Sequence, residues 1–364
     1  MRKLLLLCGV LLIVSLPITV YSEEYYQEET VVLTYSEALA LALEILPALQ
    51  DLEDRYEDLL EERNDLRDLL RRVQWTWSTS AVETLRRQIT DIERQKEHLT
   101  YDIEIMKLRT ELSLRNAMVG MKNAAIDIEI AEVSIEISAE HLRRIGLMRQ
   151  FGLASASELR VAEQRLSQDE IRLENLRLAK ARAQYNLNHL LGQPPYQQTY
   201  IEFERELPEI PEDLTRHIEQ LAPNAPTIHQ MQINVVRRWD DVTRHRANCT
   251  YTPRRNCEIY IPLREAYDRA RLDRDLAIRQ IETALRTAYS NLEQLLNRET
   301  AALVTLDQAI DRLETAQTNL ELGRVTRFDV ENALFEVFSA ELAIERILNE
   351  QWVLAFMLAY PVLL

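Results

Sequence analysis

Two stretches of the chain carry the same pattern of apolar positions and align without a gap. In each stretch the positions alternate in steps of four and three residues, the heptad spacing of helices that pack as coiled coils. The pattern predicts two long helices with matching packing faces. The equivalent positions are Ala162, Leu166, Asp169, Leu173, Leu176, Lys180, Ala183 and Leu187 in the first copy, and Ala333, Val337, Ala340, Ile344, Ile347, Gln351, Leu354 and Leu358 in the second.

A glycine-containing turn precedes each copy of the heptad pattern. The first turn runs from Gly152 to Glu158, and the second runs from Gly323 to Asp329. Glycine permits a tight reversal of the backbone, and the acid begins the next helix near the positive end of its dipole. We therefore predict two helical hairpins, with tips near residues 150–158 and 322–329.

The spacing of prolines allows long helices before each turn. No proline occurs between Pro47 and Pro194, or between Pro262 and Pro361, and an internal proline costs a helix about 3 kcal/mol. In the first half, the expected helices run from Glu37 past Pro47 to about Arg72, from Ala81 to about Arg149 and from Ser157 to Leu191. In the second half, a short helix ends at about Arg246, and two further helices run from Arg264 to Leu322 and from Phe328 to Tyr360.

Strand patterns are few and short. Residues Val73 to Ser80 alternate in character, which predicts either a brief strand or an aromatic turn. Glu258 to Pro262 is strand-like and follows a segment from Cys249 to Cys257 that is expected to be non-helical. The predicted fold class is all-α, with long antiparallel coiled-coil α-hairpins in two tandem structural repeats and at most a few short residual strands.

The N-terminus has the features of a secretory signal peptide. Arg2 and Lys3 precede an apolar run, and small or short residues fit cleavage after Ser22. We therefore expect an exported, non-lipidated protein. In an oxidising compartment, Cys249 and Cys257 can form a disulfide that closes a small loop; the alternative is two buried free thiols.

Charge and motif content exclude several classes of function. The formal net charge of −16 becomes −18 when Arg2 and Lys3 are removed with the signal peptide, and so acidic a chain repels nucleic acid. HExxH, GxSxG and P-loop motifs are missing, and the histidines are scattered. We expect no enzymatic activity, no cofactor and no metal site. Asp169 and Lys180 lie within the apolar stripe. They either face a water-filled space or pair across a helix interface.

Several segments together resemble the TolC-type outer-membrane efflux protein family. They are residues 33–50, the two glycine turns, the Leu-Leu-Gly192-Gln-Pro194 helix stop and the Ile-Tyr-Ile-Pro262-Leu segment, and their order and duplication make the resemblance specific. After the signal peptide over residues 1–22, which the N-terminal pattern predicts, the resemblance implies a first repeat over 23–195, a linker over 196–212 and a second repeat over 213–364.

The resemblance also implies an assembly and a function. It implies a homotrimer that forms a helical tunnel, the exit duct of a tripartite efflux or type I secretion system with a periplasmic adaptor and an inner-membrane pump. The expected location is the outer membrane and periplasm, or the cell-envelope exterior if the host lacks an ordinary outer membrane. Family members also have a β-barrel, whose spanning strands need about 9–11 alternating residues, and this sequence predicts reduced or missing barrel strands. The alternative is therefore a barrel-less extracytoplasmic scaffold that binds an adaptor or envelope partner without conducting.

Family members contact the adaptor through their hairpin tips, which the resemblance carries over to both turns of this chain. The family also narrows its entrance with two carboxylates one helical turn apart. Asp329 matches the first of these and Asn332 replaces the second, so the implied constriction is less acidic. The implied docking residues are Gly152, Leu153, Ser155, Ser157, Glu158 and Leu159 at the first tip, and Gly323, Arg324, Thr326, Asp329 and Val330 at the second.

Overall fold

The chain folds into long helices with very little sheet. The computed structural model describes residues 30–73, 78–205, 210–251 and 255–364, without the side chains of residues 247–251 and 255–258. The predicted all-α fold is confirmed. The elements in these ranges are β1 (Val31–Thr34), α1 (Tyr35–Glu44), α2 (Pro47–Val73), α3 (Thr79–Gln150), α4 (Ala156–Leu191), β2 (Thr199–Glu202), α5 (Leu214–Leu221), α6 (Pro226–Tyr251), α7 (Arg255–Glu321) and α8 (Arg327–Ala359), with 3-10 turns at Ala222–Asn224 and Pro361–Leu363.

The longest helices lie close to their predicted positions. Helix α3 has 72 residues and α7 has 67, so each is about 100 Å long at 1.5 Å per residue. Pro47 differs from the prediction, because it begins α2 instead of lying inside one continuous helix. Proline is tolerated in the first turn of a helix, where its missing N–H has no partner to lose.

The strand predicted at Glu258 to Pro262 is wrong. Helix α7 already begins at Arg255, and Pro262 lies inside it. An alternation of five residues is too short to distinguish a strand from part of a long helix. Ile259 and Ile261, which suggested the strand, are both exposed on α7.

The segment around the two cysteines is also more helical than predicted. Helix α6 continues to Tyr251, so Cys249 lies in α6 and Cys257 lies in α7. Their side chains lie outside the described part of the structure, and the disulfide stays a prediction. Residues 1–22 and the aromatic residues Trp75 and Trp77 lie outside the described ranges as well.

A small parallel sheet, which the sequence did not predict, connects the N-terminal strand to the segment after α4. Strands β1 and β2 pair with Val31 opposite Thr199. The buried amide of Asn188 donates to the backbone carbonyls of residues 194, 195 and 197 at 2.7–3.2 Å, and it accepts a bond from the Thr199 hydroxyl at 2.9 Å. These bonds direct the chain from α4 into β2.

A hydrophobic core forms where α1, α3, α4 and α8 meet. The guanidinium group of Arg115 in α3 lies over the rings of Tyr35, Trp352 and Phe356, at 4.2–5.1 Å from their centroids. Its Nε also donates to the Tyr35 hydroxyl at 2.9 Å. Cation–π contacts of this kind add to apolar burial, so the cluster joins the first and last helices to α3.

The long helices lie side by side in a layer. In the half near the glycine turns, α3 packs against α4 and α8, and α8 packs against α7, so the order is α4–α3–α8–α7. In the other half, α3 packs between α2 and α6, and α6 packs against α7. Near the turns, α4 and α7 therefore form the two edges of the layer. Among the described residues, no helix is sufficiently long and apolar to cross a membrane.

Candidate functional site

The first hairpin turn joins α3 to α4 through Gly152. The φ angle of this glycine is +75°, a left-handed conformation that strains residues with a Cβ atom. The N–H of Gly152 donates to the Arg149 carbonyl at 3.0 Å, and the N–H of Leu153 donates to the Met148 carbonyl at 2.8 Å. These bonds satisfy carbonyl groups at the end of α3 and close the helix.

Helix α4 begins with a capping box. The N–H of Ser155 donates to Glu158 Oε2 at 2.6 Å, and the N–H of Glu158 donates to Ser155 Oγ at 3.1 Å. The backbone bond and then the side-chain bond from Ser155 lower the pKa of Glu158, because both favour the charged carboxylate. Ser155 and Glu158 thus fix the turn. Ser157 is exposed beside them, and Leu159 is partly buried.

The second hairpin turn repeats this arrangement between α7 and α8. Gly323 has a φ of +69°, and the N–H of Arg324 donates to the Asn319 carbonyl at 2.8 Å. The hydroxyl and the N–H of Thr326 both donate to Asp329 Oδ2 at 2.7 Å. These two bonds lower the pKa of Asp329, and the positive charge of Arg144 lowers it further. The acid in each turn is therefore a helix cap.

The two tips expose different side chains. At the first tip, Phe151 and Leu153 are 78% and 72% exposed. At the second, Leu322, which like Phe151 directly precedes the turn glycine, is 60% exposed. Arg324 is exposed and Val330 is buried in the packing below the turn. Phe151 was not identified from the sequence, because it lies outside the heptad pattern. Its place directly before a glycine that ends a helix is the signal that could have identified it.

A contact between α3 and α8 joins the two hairpins near their tips. The guanidinium group of Arg144 lies 4.8 Å from the centroid of the Phe328 ring, and the His141 ring stacks on Phe328 at 5.8 Å. Burial, followed by the positive charges of Arg144 and Arg165, lowers the pKa of His141. The lowered pKa favours neutral His141, which stacks on Phe328 without adding a positive charge beside Arg144.

The predicted constriction residues have partners within their own helix. The Asp329 carboxylate accepts the bonds from Thr326, and the Asn332 amide donates to the Phe328 carbonyl at 2.9 Å. In a single chain, both side chains make hydrogen bonds at the start of α8. A role at an entrance depends on how copies of the chain assemble, so it stays a prediction.

The two edges of the helical layer carry exposed apolar side chains. Exposed apolar side chains that form a large patch mark sites of interaction with another protein or a membrane. Here they recur along both edge helices in the half near the tips. They are Val161, Ile171, Leu178 and Tyr185 on α4, and Leu303, Val304 and Ile310 on α7.

The polar residues that interrupt the first heptad pattern behave differently from each other. The hydroxyl of Ser138 on α3 donates to Asp169 Oδ2 on α4 at 2.6 Å, so Asp169 pairs across the helix interface. Lys180 lines a cavity beside the small sheet. Within the described ranges, no group of three or more His, Cys, Asp or Glu residues is placed to hold a metal ion.

The fold is shared with several solved outer-membrane proteins. OprN, an outer-membrane channel, shares 14% identity over 90% of this chain and 89% of its own, with a TM-score of 0.67. The CmeC outer-membrane channel of Campylobacter jejuni shares 12% over 90% and 86%, with a TM-score of 0.64. The outer-membrane protein VceC of Vibrio cholerae shares 12% over 90% and 96%, with a TM-score of 0.63.

These likenesses establish the fold of the chain. The resemblance to the TolC type, inferred from the order of the turns and helix stops, is confirmed at the level of the fold. No protein-family model matches the sequence, and no curated protein matches it. The match covers most of both chains, so the helical layer with its two hairpins is shared over nearly its whole length.

Proposed function

We propose that this protein is an exit duct component of a tripartite efflux or type I secretion system. Three copies form a helical tunnel, the hairpin tips bind a periplasmic adaptor, and an inner-membrane pump supplies the energy. The protein works in the outer membrane and periplasm and is not an enzyme. In this proposal, residues 23–195 and 213–364 act as two equivalent repeats, joined by residues 196–212.

The observation that carries this proposal is the open layer of helices. In the half near the tips, α4 and α7 lie at opposite edges, and each exposes apolar side chains such as Ile171 and Val304. An edge of α4 on one copy can cover the edge of α7 on the next, and a head-to-tail contact of this kind closes into a ring when the rotation is suitable. The enclosed space of such a ring is a tunnel.

The structure of the tips supports adaptor binding. Gly152 and Gly323 let each hairpin end in a short reversal, and the capping acids hold the polar turns in place. Exposed Phe151 and Leu153 give the first tip an apolar surface, and aromatic residues such as phenylalanine are enriched in protein interfaces. The second tip also exposes an apolar residue, Leu322, but beside the cation Arg324, so the more apolar first tip is the main candidate for contact with the adaptor.

The second candidate function is an extracytoplasmic scaffold that binds an envelope partner without conducting. The observation that favours it is the solid packing between neighbouring helices, which is sufficient for a coiled-coil support. Such a scaffold can use the same tips and the same edges. It differs from the duct only in whether the assembled ring transmits ions.

Mass and conductance separate these functions. The mass of the purified mature protein, measured by light scattering, should be three times that of one chain, and the same preparation should produce conductance steps in planar lipid bilayers. Trimers without conductance would favour the scaffold. A monomer without conductance at micromolar concentration would exclude the proposed tunnel.

A further inference from the structure

A cavity of about 560 Å³ lies between the small sheet and helices α3, α4 and α8. Its inner wall is apolar and includes Met118, Ile126, Leu187, Ile201 and Phe203. All of these except Phe203 are buried. Small-molecule sites commonly have volumes of about 300–1,000 Å³ and mostly apolar linings with a few polar groups. The size and lining of this cavity are those of a ligand site.

The inner wall is held in place by the surrounding core. The Phe203 ring stacks on the buried Trp352 ring, with the centroids 4.5 Å apart. Methionine side chains such as Met118 adapt their shape to an apolar ligand because they are flexible and polarisable. The wall therefore combines one fixed aromatic surface with one adaptable surface.

The rim of the cavity carries charged groups of both signs. Lys122 Nζ and Arg205 Nη2 each lie 2.7 Å from Glu345 Oε1, so two cations share one carboxylate. Lys122 is the main reason that the pKa of Glu345 is lowered. Glu129 and Lys180 complete the charged lining. The lining thus carries two lysines and two acids, and the charge of Glu345 is offset by Lys122 and by Arg205, which lies outside the lining.

Lys180 is the rim cation that is available to a ligand. Among the described residues, no carboxylate lies within 4.0 Å of its ammonium group. Although Lys180 occupies a position of the heptad pattern, it is exposed at the rim of the cavity. Asp169, the other polar residue in that pattern, is paired with Ser138. Asp169 thus has a partner across the helix interface, whereas Lys180 has no carboxylate partner among the described residues. This difference points to a different role for Lys180.

We propose that this cavity binds a single-chain fatty acid, with its alkyl chain against Met118 and Phe203 and its carboxylate at Lys180. The apolar wall removes the chain from water, and the ammonium group of Lys180 makes a charge-assisted hydrogen bond to the head group. This site does not depend on the proposed tunnel, since every residue that forms it belongs to one chain.

Calorimetry with laurate tests the proposal on the purified mature protein, below the concentration at which laurate forms micelles. We expect saturable binding at one site per chain. Laurylamine has the same chain with a positive head group, and acetate has the head group without the chain; both should bind at least about tenfold more weakly. Absence of saturable laurate binding, or equal binding of laurate and laurylamine, would overturn the proposal.

Two substitutions locate the bound ligand. Lys180→Gln should weaken laurate binding about five- to tenfold through loss of the charged head-group contact. The control is Lys107→Gln, which removes an α3 lysine that pairs with Glu53 on α2, away from the cavity, and should leave binding unchanged. Equal affinity of Lys180→Gln and the unsubstituted protein would refute the role of Lys180.

Filling the cavity provides the independent test of its apolar wall. Ala125→Phe places a ring in the lining and should abolish laurate binding while the helix content, measured by circular dichroism, is unchanged. If that variant fails to fold, Met121→Trp fills the same space from the same helix. Unchanged laurate affinity in a folded cavity-filling variant would exclude this site.

Discussion

The two hairpin turns have nearly the same backbone but different surfaces. Each has a left-handed glycine, a helix-ending bond to a carbonyl group and an acid that caps the next helix. Both turns expose an apolar side chain directly before the glycine, Phe151 or Leu322. Directly after the glycine, the first turn exposes Leu153 and the second exposes Arg324, and the second turn also places Phe328 against α3. The first tip is therefore the more apolar of the two, and the second is attached to the other hairpin.

This difference shows which residues set the shape of the turns and which set their role. Glycine and the capping pairs are local determinants, so both copies reverse in the same way. Leu153 and Arg324 contribute to the reversal through their backbone N–H groups, so their side chains are free to differ. We expect substitutions of the shared residues to have equal effects at the two tips, and substitutions of the other residues to have unequal effects.

The largest expected loss of stability is at Gly192, a glycine outside the tips that serves as a reference for the two tip glycines. Gly192 is also left-handed, but an added Cβ atom would lie 2.4 Å from Ile45 Cδ1. Gly192→Ala should lower the free energy of unfolding by about 2–4 kcal/mol, because backbone strain and overpacking combine. Urea unfolding measures this loss. If Gly192→Ala loses less free energy of unfolding than alanine variants of Gly152 and Gly323, the Ile45 side chain moves away from the added Cβ atom at little cost.

The tip glycines themselves should respond equally. At Gly152 and Gly323 an added Cβ atom has no neighbour within 4 Å, so alanine introduces only backbone strain, about 1–2 kcal/mol. Urea unfolding of Gly152→Ala and Gly323→Ala should show matching losses. A difference above about 1 kcal/mol would break the equivalence of the two turns.

The contact between the hairpins should make the second tip the more sensitive one. Arg144→Met removes the cation over Phe328 but keeps a long apolar side chain, and should cost about 0.5–1 kcal/mol. Arg143→Met is the matched control, because Arg143 makes an exposed ion pair with Glu140 and should cost less than about 0.5 kcal/mol. Similar losses in urea unfolding for both variants would mean that the ring contact contributes nothing specific.

The smallest expected effect is a pH dependence at the second tip. The pKa of His141 is lowered from 6.5, so the unfolded chain binds the proton more readily than the folded chain. The contribution to stability is therefore complete above about pH 6.5 and decreases as the pH falls below it. Between pH 7.5 and pH 5.5, approximately the range of histidine titration, the urea midpoint of the unsubstituted protein should decrease more than that of His141→Gln. Parallel decreases would exclude His141 as the cause.

Much of the fold was predictable because its determinants are local and repeated. The heptad positions and the glycine turns predicted α3, α4, α7 and α8 closely. The strands β1 and β2 were not predictable, since four residues carry no clear period and their pairing joins segments that are far apart in sequence. The strand expected before Pro262 failed because a short alternation also fits a helix.

The candidate site was only partly predictable. The sequence indicated both turns, and the structure shows that Ser155, Glu158, Thr326 and Asp329 fix their shape. Exposure of Phe151 depends on how α3 ends, and the ring contact of Arg144 depends on the packing of two helices distant in sequence. Neither feature has a periodic signal. The edges of the layer likewise became visible only when the order of the helices was known.

The central claim is that the α4 edge of one copy covers the α7 edge of the next. Ile171 lies 19 residues after Gly152, and Val304 lies 19 residues before Gly323, so the two positions are level if the tips are level. The ion pair between Asp127 on α3 and Arg346 on α8 supports level tips, since these residues lie 25 and 23 residues from their turn glycines.

Cross-linking between chains tests this claim most directly. In a Cys249→Ser, Cys257→Ser background, Ile171→Cys combined with Val304→Cys should give covalent dimers and trimers with a bis-maleimide that spans about 8–10 Å, the distance between packed helices. The control pairs Ile171→Cys with Leu276→Cys, which lies 28 residues farther from the tip along α7, about 40 Å away. Efficient cross-linking of the first pair alone is the predicted result. Monomers only, or equal cross-linking of both pairs, would contradict the account.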